Sequence, residues 1–198
     1  MSKKTFKLRI YKRTGGYCMK LRIFARKREH RAKFLPTPAL LMDRIINLAE
    51  LNGSKVFCDL GSGDGRMLVA AASRGAYAVG IEIDKGLIKK AKERVGKYSD
   101  RVDLVLGDIF YNPLIRMDVV YTFLDEKTME KLKEYFEEIV KRGVKIISLT
   151  YKIPGINPTV ILDAYDEEQL RLLRLILGDL ARKLKAYKIY IYTSTSRP

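Results

Sequence analysis

The sequence predicts an α/β fold in which a largely parallel sheet is covered by helices on both faces. From residue 39 onward, short apolar stretches of strand length alternate with longer stretches of helical periodicity. A glycine-rich turn joins the first of these strands to an alanine-rich helix, as in repeated strand–helix–strand units. The hydrophobic share of 47% in 198 residues is enough to build one such core.

Seven strands are predicted, each a run of apolar or β-branched residues bounded by polar or glycine-containing turns. In chain order they cover 56–60, 77–83, 102–106, 118–123, 144–150, 159–164 and 187–193. The spacing of apolar residues predicts helices over 39–51, 66–73, 85–95, 126–140 and 166–185. The last helix has an acidic first turn and a basic last turn, as the helix dipole favours. We expect it to pack on the sheet edge, with a dimer-forming helix as the alternative.

The N-terminal region holds most of the positive charge. Residues 1–33 contain 13 Lys/Arg and one acid, in a chain of net charge +16. Basic and apolar residues alternate over 5–25 around Gly15-Gly16, which predicts a β-hairpin with one cationic face. We therefore expect a basic arm over 1–34 and a single domain over 35–198. The charge indicates a polyanionic or acidic partner, such as nucleic acid bound by residues 1–33, and a solubilising tail is the alternative.

Composition excludes several classes of protein. The single histidine, His30, and the two cysteines exclude a His-based metal centre, a zinc cluster and a Ser-His-Asp triad from the domain, so no metal site is predicted. Charges interrupt every apolar run, so no membrane span or secretory signal is predicted. We expect a cytoplasmic protein, with a monomer favoured. The low content of Asn and Gln is compatible with a thermophile.

The most informative motif is the turn Asp-Leu-Gly-Ser-Gly-Asp-Gly-Arg from Asp59 to Arg66. Its glycines allow positive φ and close approach of a ligand, and it lies where open α/β sheets bind ligands. The dinucleotide fingerprint would need glycine at position 66, and Asp59 would repel a pyrophosphate. A cationic ligand fits better. S-adenosylmethionine (SAM) carries an ammonium and a sulfonium and has no phosphate.

Two further acids follow the next two predicted strands. Glu82 can accept hydrogen bonds from both ribose hydroxyls of such a ligand. Asp108 can accept a hydrogen bond from the adenine amino group, while the side chain of Ile109 covers the adenine ring. Turn residues are the alternative for both acids. Thr37 has an alternative role as a helix cap, and Asp64 is interpreted as a helix N-cap with Arg66 as an ion-pair partner. The expected cofactor-binding residues are Thr37, Asp59, Leu60, Gly61, Gly63, Glu82, Ile83, Asp108, Ile109 and Thr122.

Over nearly all of residues 36–198, this pattern resembles the class I SAM-dependent methyltransferases. Within that class the chain is most similar to archaeal protein-lysine methyltransferases and to relatives that act on the c-subunit of rotary ATPases. The shared stretches are Pro-Thr-Pro at 36–38, Gly-Asp at 107–108, Val-Tyr-Thr-Phe-Leu at 120–124 and Gly-Ile-Asn-Pro at 155–158. The resemblance implies a Rossmann-like seven-stranded sheet, mostly parallel, with an antiparallel strand near the C-terminus. It also implies SAM as methyl donor and a lysine of a protein as acceptor.

Methyl transfer from a sulfonium is an in-line displacement that depends on positioning. Around the methyl site we expect Thr122 and Phe123, with Tyr121 or Tyr151 as channel walls able to contact a methylated ammonium. For Tyr151, a simple strand-end aromatic is the alternative. No general base is predicted, because a desolvated channel lowers the pKa of the lysine amine.

Two other functions remain open at this stage. One is an RNA or ribosomal-RNA methyltransferase that uses the basic arm to hold nucleic acid. Against it, the segment Thr122-Phe123-Leu124-Asp125 lacks the proline typical of enzymes that methylate base amino groups. The segment also lacks the cysteine nucleophile that methylation of cytosine C5 needs. The other is a nucleic-acid-binding module that keeps SAM only as a structural or regulatory ligand.

Overall fold

The computed structural model describes residues 11–13, 16–18, 34–111 and 116–194. A small antiparallel sheet pairs β1 (Tyr11–Arg13) with β2 (Gly16–Cys18), with Arg13 opposite Gly16. Gly16 therefore belongs to a strand, whereas the sequence pattern placed Gly15-Gly16 between the two strands. This pairing agrees with a hairpin, while the outer parts of the predicted arm lie outside the described residues. The boundary at residue 34 stays a prediction.

The main sheet has seven strands in the described part of the chain. They are β3 (Val56–Leu60), β4 (Tyr77–Glu82), β5 (Val102–Leu106), β6 (Val119–Thr122), β7 (Lys145–Leu149), β8 (Val160–Asp163) and β9 (Lys188–Tyr192). Their order is β5-β4-β3-β6-β7-β9-β8, in which the first five are parallel and β9 runs antiparallel to both neighbours. The predicted mostly parallel sheet with an antiparallel strand near the C-terminus is confirmed.

The helices connect these strands. They are α1 (Ala39–Leu48), α2 (Arg66–Ser73), α3 (Lys85–Val95), α4 (Glu126–Lys131), α5 (Lys133–Lys141), α6 (Glu167–Leu177) and α7 (Ala181–Leu184). Short 3-10 turns cover Gly96–Tyr98, Ile109–Tyr111 and Gly178–Leu180.

Two predicted helices are interrupted. The helix over 126–140 divides at Leu132, whose N–H is shared between the carbonyls of Thr128 (3.1 Å) and Met129 (3.2 Å), so the turn tightens locally. The helix over 166–185 divides at Gly178, which takes φ +56°. Glycine adopts such a positive φ at low cost, and α6 ends at this residue.

Side-chain alternation along the strands builds a core on each face of the sheet. Phe57 belongs to the core cluster that includes residues of α1, α2 and α6, while Cys58 belongs to the cluster that includes residues of α4 and α5. Burial raises the pKa of the Cys58 thiol, and the charge of Asp59 raises it further, so Cys58 is an inert core residue. None of the helices in the described residues has the length and apolar character needed to cross a bilayer.

Candidate cofactor site

Three acidic side chains meet at the carboxyl edge of the sheet. Asp59 lies near the end of β3, Glu82 ends β4, and Asp108 follows β5 by two positions. Because these parallel strands are neighbours, their carboxyl ends share one edge. The three residues are 3%, 8% and 6% exposed, respectively. The structure thus brings together the three acids that the sequence places after successive strands.

The glycine turn after β3 folds back onto β4. The N–H groups of Gly61 and Ser62 donate to the Ile81 carbonyl at 2.9 and 3.0 Å, and the Gly63 N–H donates to Glu82 Oε2 at 3.0 Å. Gly63 has φ +53°, and a Cβ there would lie 2.4 Å from the Phe34 ring. Glycine is therefore favoured at position 63 by the backbone conformation, and a side chain there would also displace the exposed Phe34 ring.

Glu82 and Asp108 are held by backbone donors. Glu82 Oε1 accepts from the Asp84 N–H at 2.8 Å, so both carboxylate oxygens of Glu82 are oriented by the backbone. Asp108 Oδ1 accepts from the Phe110 N–H at 3.0 Å at the start of the 3-10 turn. Rigid carboxylates of this kind can present lone pairs to hydroxyl or amino donors of a ligand. Ile83 and Ile109, each adjacent to one of these acids, are half-buried.

Asp59 has the most unusual electrostatic environment of the three acids. Burial raises its pKa well above the usual range, and the neighbouring carboxylates of Glu82 and Asp64 raise it further. Within the described residues, no basic side chain pairs with it. An unpaired buried carboxylate is costly, and a cationic ligand would offset that cost. The three carboxylates and the glycine turn therefore fit a ligand with an ammonium or sulfonium group.

The Pro-Thr-Pro segment at 36–38 is fastened to this edge by two contacts. The hydroxyls of Thr37 and Tyr121 lie 2.8 Å apart, and Arg66 Nη1 donates to the Thr37 carbonyl at 3.0 Å. The capping alternative for Thr37 is wrong, because Pro38 is the N-cap of α1 and has no side-chain cap bond. Thr37 is 5% exposed, and a cofactor contact from it stays our proposal.

Asp64 is an ion-pair centre and not the predicted N-cap of α2, which is Gly65. Its carboxylate accepts from Arg66 Nε at 3.0 Å and Nη2 at 2.8 Å, and from Arg94 Nη2 at 2.9 Å. Arg94 Nε also donates to the Asp64 carbonyl at 3.0 Å. This cluster fixes the end of the glycine turn and, through Arg66, the Pro-Thr-Pro segment.

The predicted methyl-site residues occupy different environments. Tyr121 is only 1% exposed and its hydroxyl lies 2.8 Å from that of Thr37, and its role as a channel wall stays a prediction. Thr122 is fully buried, and the side chain of Leu60 lies in the α4/α5 core, so only the backbone of Leu60 suits a cofactor contact. Phe123 is half-buried and Tyr151 is 37% exposed, which suits a channel wall.

Two aromatic residues beside Phe123 were missed by sequence reasoning. The ring centroids of Phe123 and Tyr187 are 6.1 Å apart, and those of Tyr165 and Tyr187 are 6.2 Å apart. Tyr187 immediately precedes β9 and Tyr165 follows β8 by two positions. Because β9 runs antiparallel, both tyrosines lie at the same sheet edge as Phe123. The only sequence signal for them is a tyrosine beside the end of each of the last two strands.

Comparisons with known proteins identify the family. Residues 59–160 match the family described as ANTKMT methyltransferase domain. A protein-lysine N-methyltransferase of Saccharolobus islandicus (strain REY15A) is 31% identical over 67% of this chain and 85% of its own length. A lysine N-methyltransferase of Homo sapiens that is named for the ATP synthase c-subunit is 24% identical over 63% of this chain and 54% of its own length.

One solved structure also covers most of the chain. It is an RNA methyltransferase from Salinibacter ruber in complex with S-adenosyl-L-homocysteine, 30% identical, with a TM-score of 0.65. The match covers 83% of this chain and 97% of that chain. The resemblance inferred from the motifs is thus confirmed. The chain belongs to the ANTKMT methyltransferase domain family and is a SAM-dependent methyltransferase.

Proposed function

We propose that the protein transfers the methyl group of SAM to lysine side chains of protein acceptors. The observation that carries the proposal is a group of hydroxyl and aromatic side chains that follow β6 and β7. We call this group, Thr122, Phe123, Thr150 and Tyr151 together with Tyr187, the acceptor end of the site. The relatives described as lysine methyltransferases, of proteins in general and of the ATP synthase c-subunit, support the same acceptor.

The proposed cofactor contacts divide among three groups of residues. Asp59 would accept a hydrogen bond from the ammonium group of SAM, Glu82 from the ribose hydroxyls and Asp108 from the adenine amino group. Backbone of the turn from Leu60 to Gly63 would lie against the body of the ligand. Ile83 and Ile109 would cover its apolar surface, with Thr37 and Thr122 as further contacts. When bound, SAM supplies an electrophilic methyl group on a positively charged sulfur.

The acceptor end has oxygen atoms suited to an amine. Thr122 ends β6 and pairs in register with Ser148, two residues before Thr150. In the part of the chain that the structure describes, the buried Oγ1 atoms of Thr122 and Thr150 have no hydrogen-bond partner. Thr150 has φ +74°, and the Tyr151 N–H donates across it to the Leu149 carbonyl at 2.9 Å. Buried acceptors of this kind gain free energy when a ligand N–H binds them.

The aromatic residues can hold the substrate side chain. Burial raises the pKa of Tyr187, so its side chain stays neutral. Tyr151 lies close enough to raise this pKa further. With Phe123 they would line the apolar stem of a lysine and contact a methylated ammonium through cation–π interaction. A lysine must react as the free amine, and such a desolvated path lowers its pKa without a dedicated base.

RNA remains the second candidate acceptor, because two observations favour it. Residues 1–33 carry 13 Lys/Arg and one acid, and phosphate contacts dominate the affinity for nucleic acids. The Salinibacter structure is also described as an RNA methyltransferase. The cytoplasmic location and the archaeal-like, thermophilic character stay predictions, supported by composition and by the free thiol of Cys58.

Incubation with methyl-labelled SAM and a lysate from the source organism separates the two acceptors. We expect the label to survive RNase, to be lost to protease and to be recovered as methyllysine after acid hydrolysis. Label that survives protease and is lost to RNase would contradict the lysine proposal.

A variant pair in the same assay tests the acceptor end. Tyr187→Ala removes the ring and should raise the KM for the acceptor roughly tenfold while the Kd for SAM stays unchanged. Tyr187→Phe keeps the ring and should behave like the wild type. An equal loss in both variants would exclude the ring as the contacting group.

A further inference from the structure

Helix α3 and the turn that follows it expose a dense group of lysines. Residues 85–101 contain seven Lys/Arg and two acids, a net charge of +5. The two arginines, Arg94 and Arg101, pair with Asp64 and Asp100. The five lysines are exposed, and none of them forms an ion pair with another residue that the structure describes. These lysines, which we call the α3 lysines, are Lys85, Lys89, Lys90, Lys92 and Lys97.

Positive charge is concentrated in two segments of the chain. Residues 1–33 have a net charge of +12 and residues 85–101 a net charge of +5, whereas all the other residues together hold 19 Lys/Arg and 20 acids. Helices α4 and α5 cover the opposite face of the sheet from α3. On that face, residues 125–138 contain six acids and three lysines. A charge distribution that is basic on one side creates a directed field that attracts a polyanion.

The two basic segments meet at the glycine turn. Residues 1–33 join the described domain at Phe34, whose ring lies so close to Gly63 that a Cβ there would come within 2.4 Å of it. Gly65, later in the same turn, packs on α3, because a Cβ there would lie 2.9 Å from the Cβ of Ala91. The arm therefore joins the domain beside α3.

We propose that the α3 lysines, together with the arm, bind the phosphate backbone of a nucleic acid. Lysine binds phosphate as a point charge, and the four- and three-residue spacing of Lys85, Lys89 and Lys92 places these side chains in one row along the helix. The 11 residues of α3 span about 16 Å, which is the length of roughly five nucleotides along one strand at about 3.4 Å each.

This surface is separate from the site of methyl transfer. Helix α3 packs on β4 and β5, at one end of the sheet, while the acceptor end follows β6 and β7. A nucleic acid on α3 would therefore leave the acceptor end open. The proposal concerns binding alone and holds for a protein acceptor as well as for RNA.

The composition of the surface favours phosphate over a protein or a membrane. Among residues 85–101, all of which the structure describes, no large apolar side chain is exposed. Interfaces between proteins are enriched in aromatic residues and depleted in lysine. Helices that lie on membranes insert an apolar face, but the apolar residues Ile88, Ala91 and Val95 of α3 are buried in the domain. Contacts to phosphate need only cationic side chains, because they gain free energy from the release of counterions.

Fluorescence anisotropy with the full chain tests the proposal, with labelled RNA and DNA single strands of the same mixed sequence, about 20 nucleotides long, as probes. Lys89→Gln/Lys92→Gln should weaken binding of both strands at least tenfold at low salt. The slope of log K against log[salt] should become less steep by about 1.4, because each phosphate contact on a single strand contributes about 0.7. SAM binding by each variant is the control for correct folding.

Lys127→Gln/Lys141→Gln is the matched variant. It removes the same charge from exposed lysines of α4 and α5 on the opposite face, and it should bind both strands like the wild type. Equal losses in the two double variants would overturn the proposal, because net charge and not α3 would then determine binding.

The other outcomes are equally distinct. A wild type that binds neither strand overturns the proposal. Unchanged binding by Lys89→Gln/Lys92→Gln would place the contact in the arm alone, and a loss confined to one of the two strands would exclude the shared phosphate backbone as the ligand. Displacement of the RNA by polyglutamate or by anionic vesicles as effectively as by unlabelled RNA would assign the surface to an acidic protein or a membrane instead.

Discussion

Replacing Asp59 with asparagine is expected to weaken SAM binding while raising the thermal stability of the ligand-free protein. The loss of a hydrogen bond between charged groups costs about 1.5–3 kcal/mol, roughly a 10- to 150-fold increase in Kd. The gain in stability has a separate cause. Asp59 is buried beside the carboxylates of Glu82 and Asp64, and its ionisation opposes folding. An asparagine keeps the shape and removes that repulsion.

The raised pKa of Asp59 also predicts opposite pH dependences for stability and binding. The folded protein holds the Asp59 proton to a higher pH than the unfolded chain does. The contribution of Asp59 to the free energy of unfolding therefore falls as pH rises from its usual pKa, about 3.9, to the raised value. The proposed contact between Asp59 and the SAM ammonium needs the ionised carboxylate, so we expect the affinity for SAM to increase with pH over the same window. In Asp59→Asn, both the free energy of unfolding and the affinity for SAM should change less with pH.

Calorimetric unfolding and SAM titration of the same samples measure both effects. Asp103→Asn is the matched control, because burial also raises the pKa of Asp103, but that residue lies near the start of β5 beside the Tyr77 hydroxyl. The control should bind SAM like the wild type. If Asp59→Asn bound SAM normally, or melted at a lower temperature than the wild type at neutral pH, the electrostatic assignment would be wrong.

Asp64→Ala is expected to destabilise the protein by about 1–3 kcal/mol, the range for hydrogen bonds to charged groups that are partly buried. Its carboxylate pairs with Arg66 and Arg94 and is only 9% exposed, so removing it leaves two guanidinium groups without their shared partner. Burial opposes ionisation of Asp64, but the hydrogen bonds and charges of the two arginines outweigh it and lower its pKa. The stabilisation is therefore present above the usual pKa of an aspartate and is lost as pH falls through the lowered one.

Urea denaturation of Asp64→Ala and Asp43→Ala measures this difference. Asp43 also pairs with an arginine, Arg74 at 3.6 Å, but its side chain is 91% exposed and the pair should contribute little. Because Arg66 also holds the Thr37 carbonyl, we expect weaker SAM binding in the Asp64 variant. Equal stabilities for the two variants would contradict the assignment of Asp64 as an ion-pair centre.

Local patterns were sufficient to predict most of the fold. The bounds of β3, α2, α3 and β5 agree with the prediction, because each is an apolar strand or amphipathic helix ended by glycine or polar residues. The interruptions at Leu132 and Gly178 were missed. The first is a shared hydrogen bond with no sequence signature. The second depends on Gly178 adopting positive φ, which apolar spacing does not reveal.

The candidate site could likewise be predicted only in part. The acids at 59, 82 and 108 could be predicted together, because parallel strands in sequence order place them at one edge. The contact between Thr37 and Tyr121 joins residues 84 positions apart, and it gives Tyr121 a structural contact that no local pattern indicates. Tyr165 and Tyr187 lie at the same sheet edge as Phe123 only because β9 runs antiparallel between β7 and β8. Long-range topology of this kind is absent from any local pattern.

Isothermal titration calorimetry on the intact protein tests the central claim most directly, namely that carboxylates at the ends of β3, β4 and β5 hold a cationic sulfur cofactor. The account predicts heat on adding SAM or S-adenosylhomocysteine, and a Kd for SAM that rises as pH falls through the raised pKa of Asp59. Absence of heat with both ligands, together with binding of a nicotinamide dinucleotide, would contradict it.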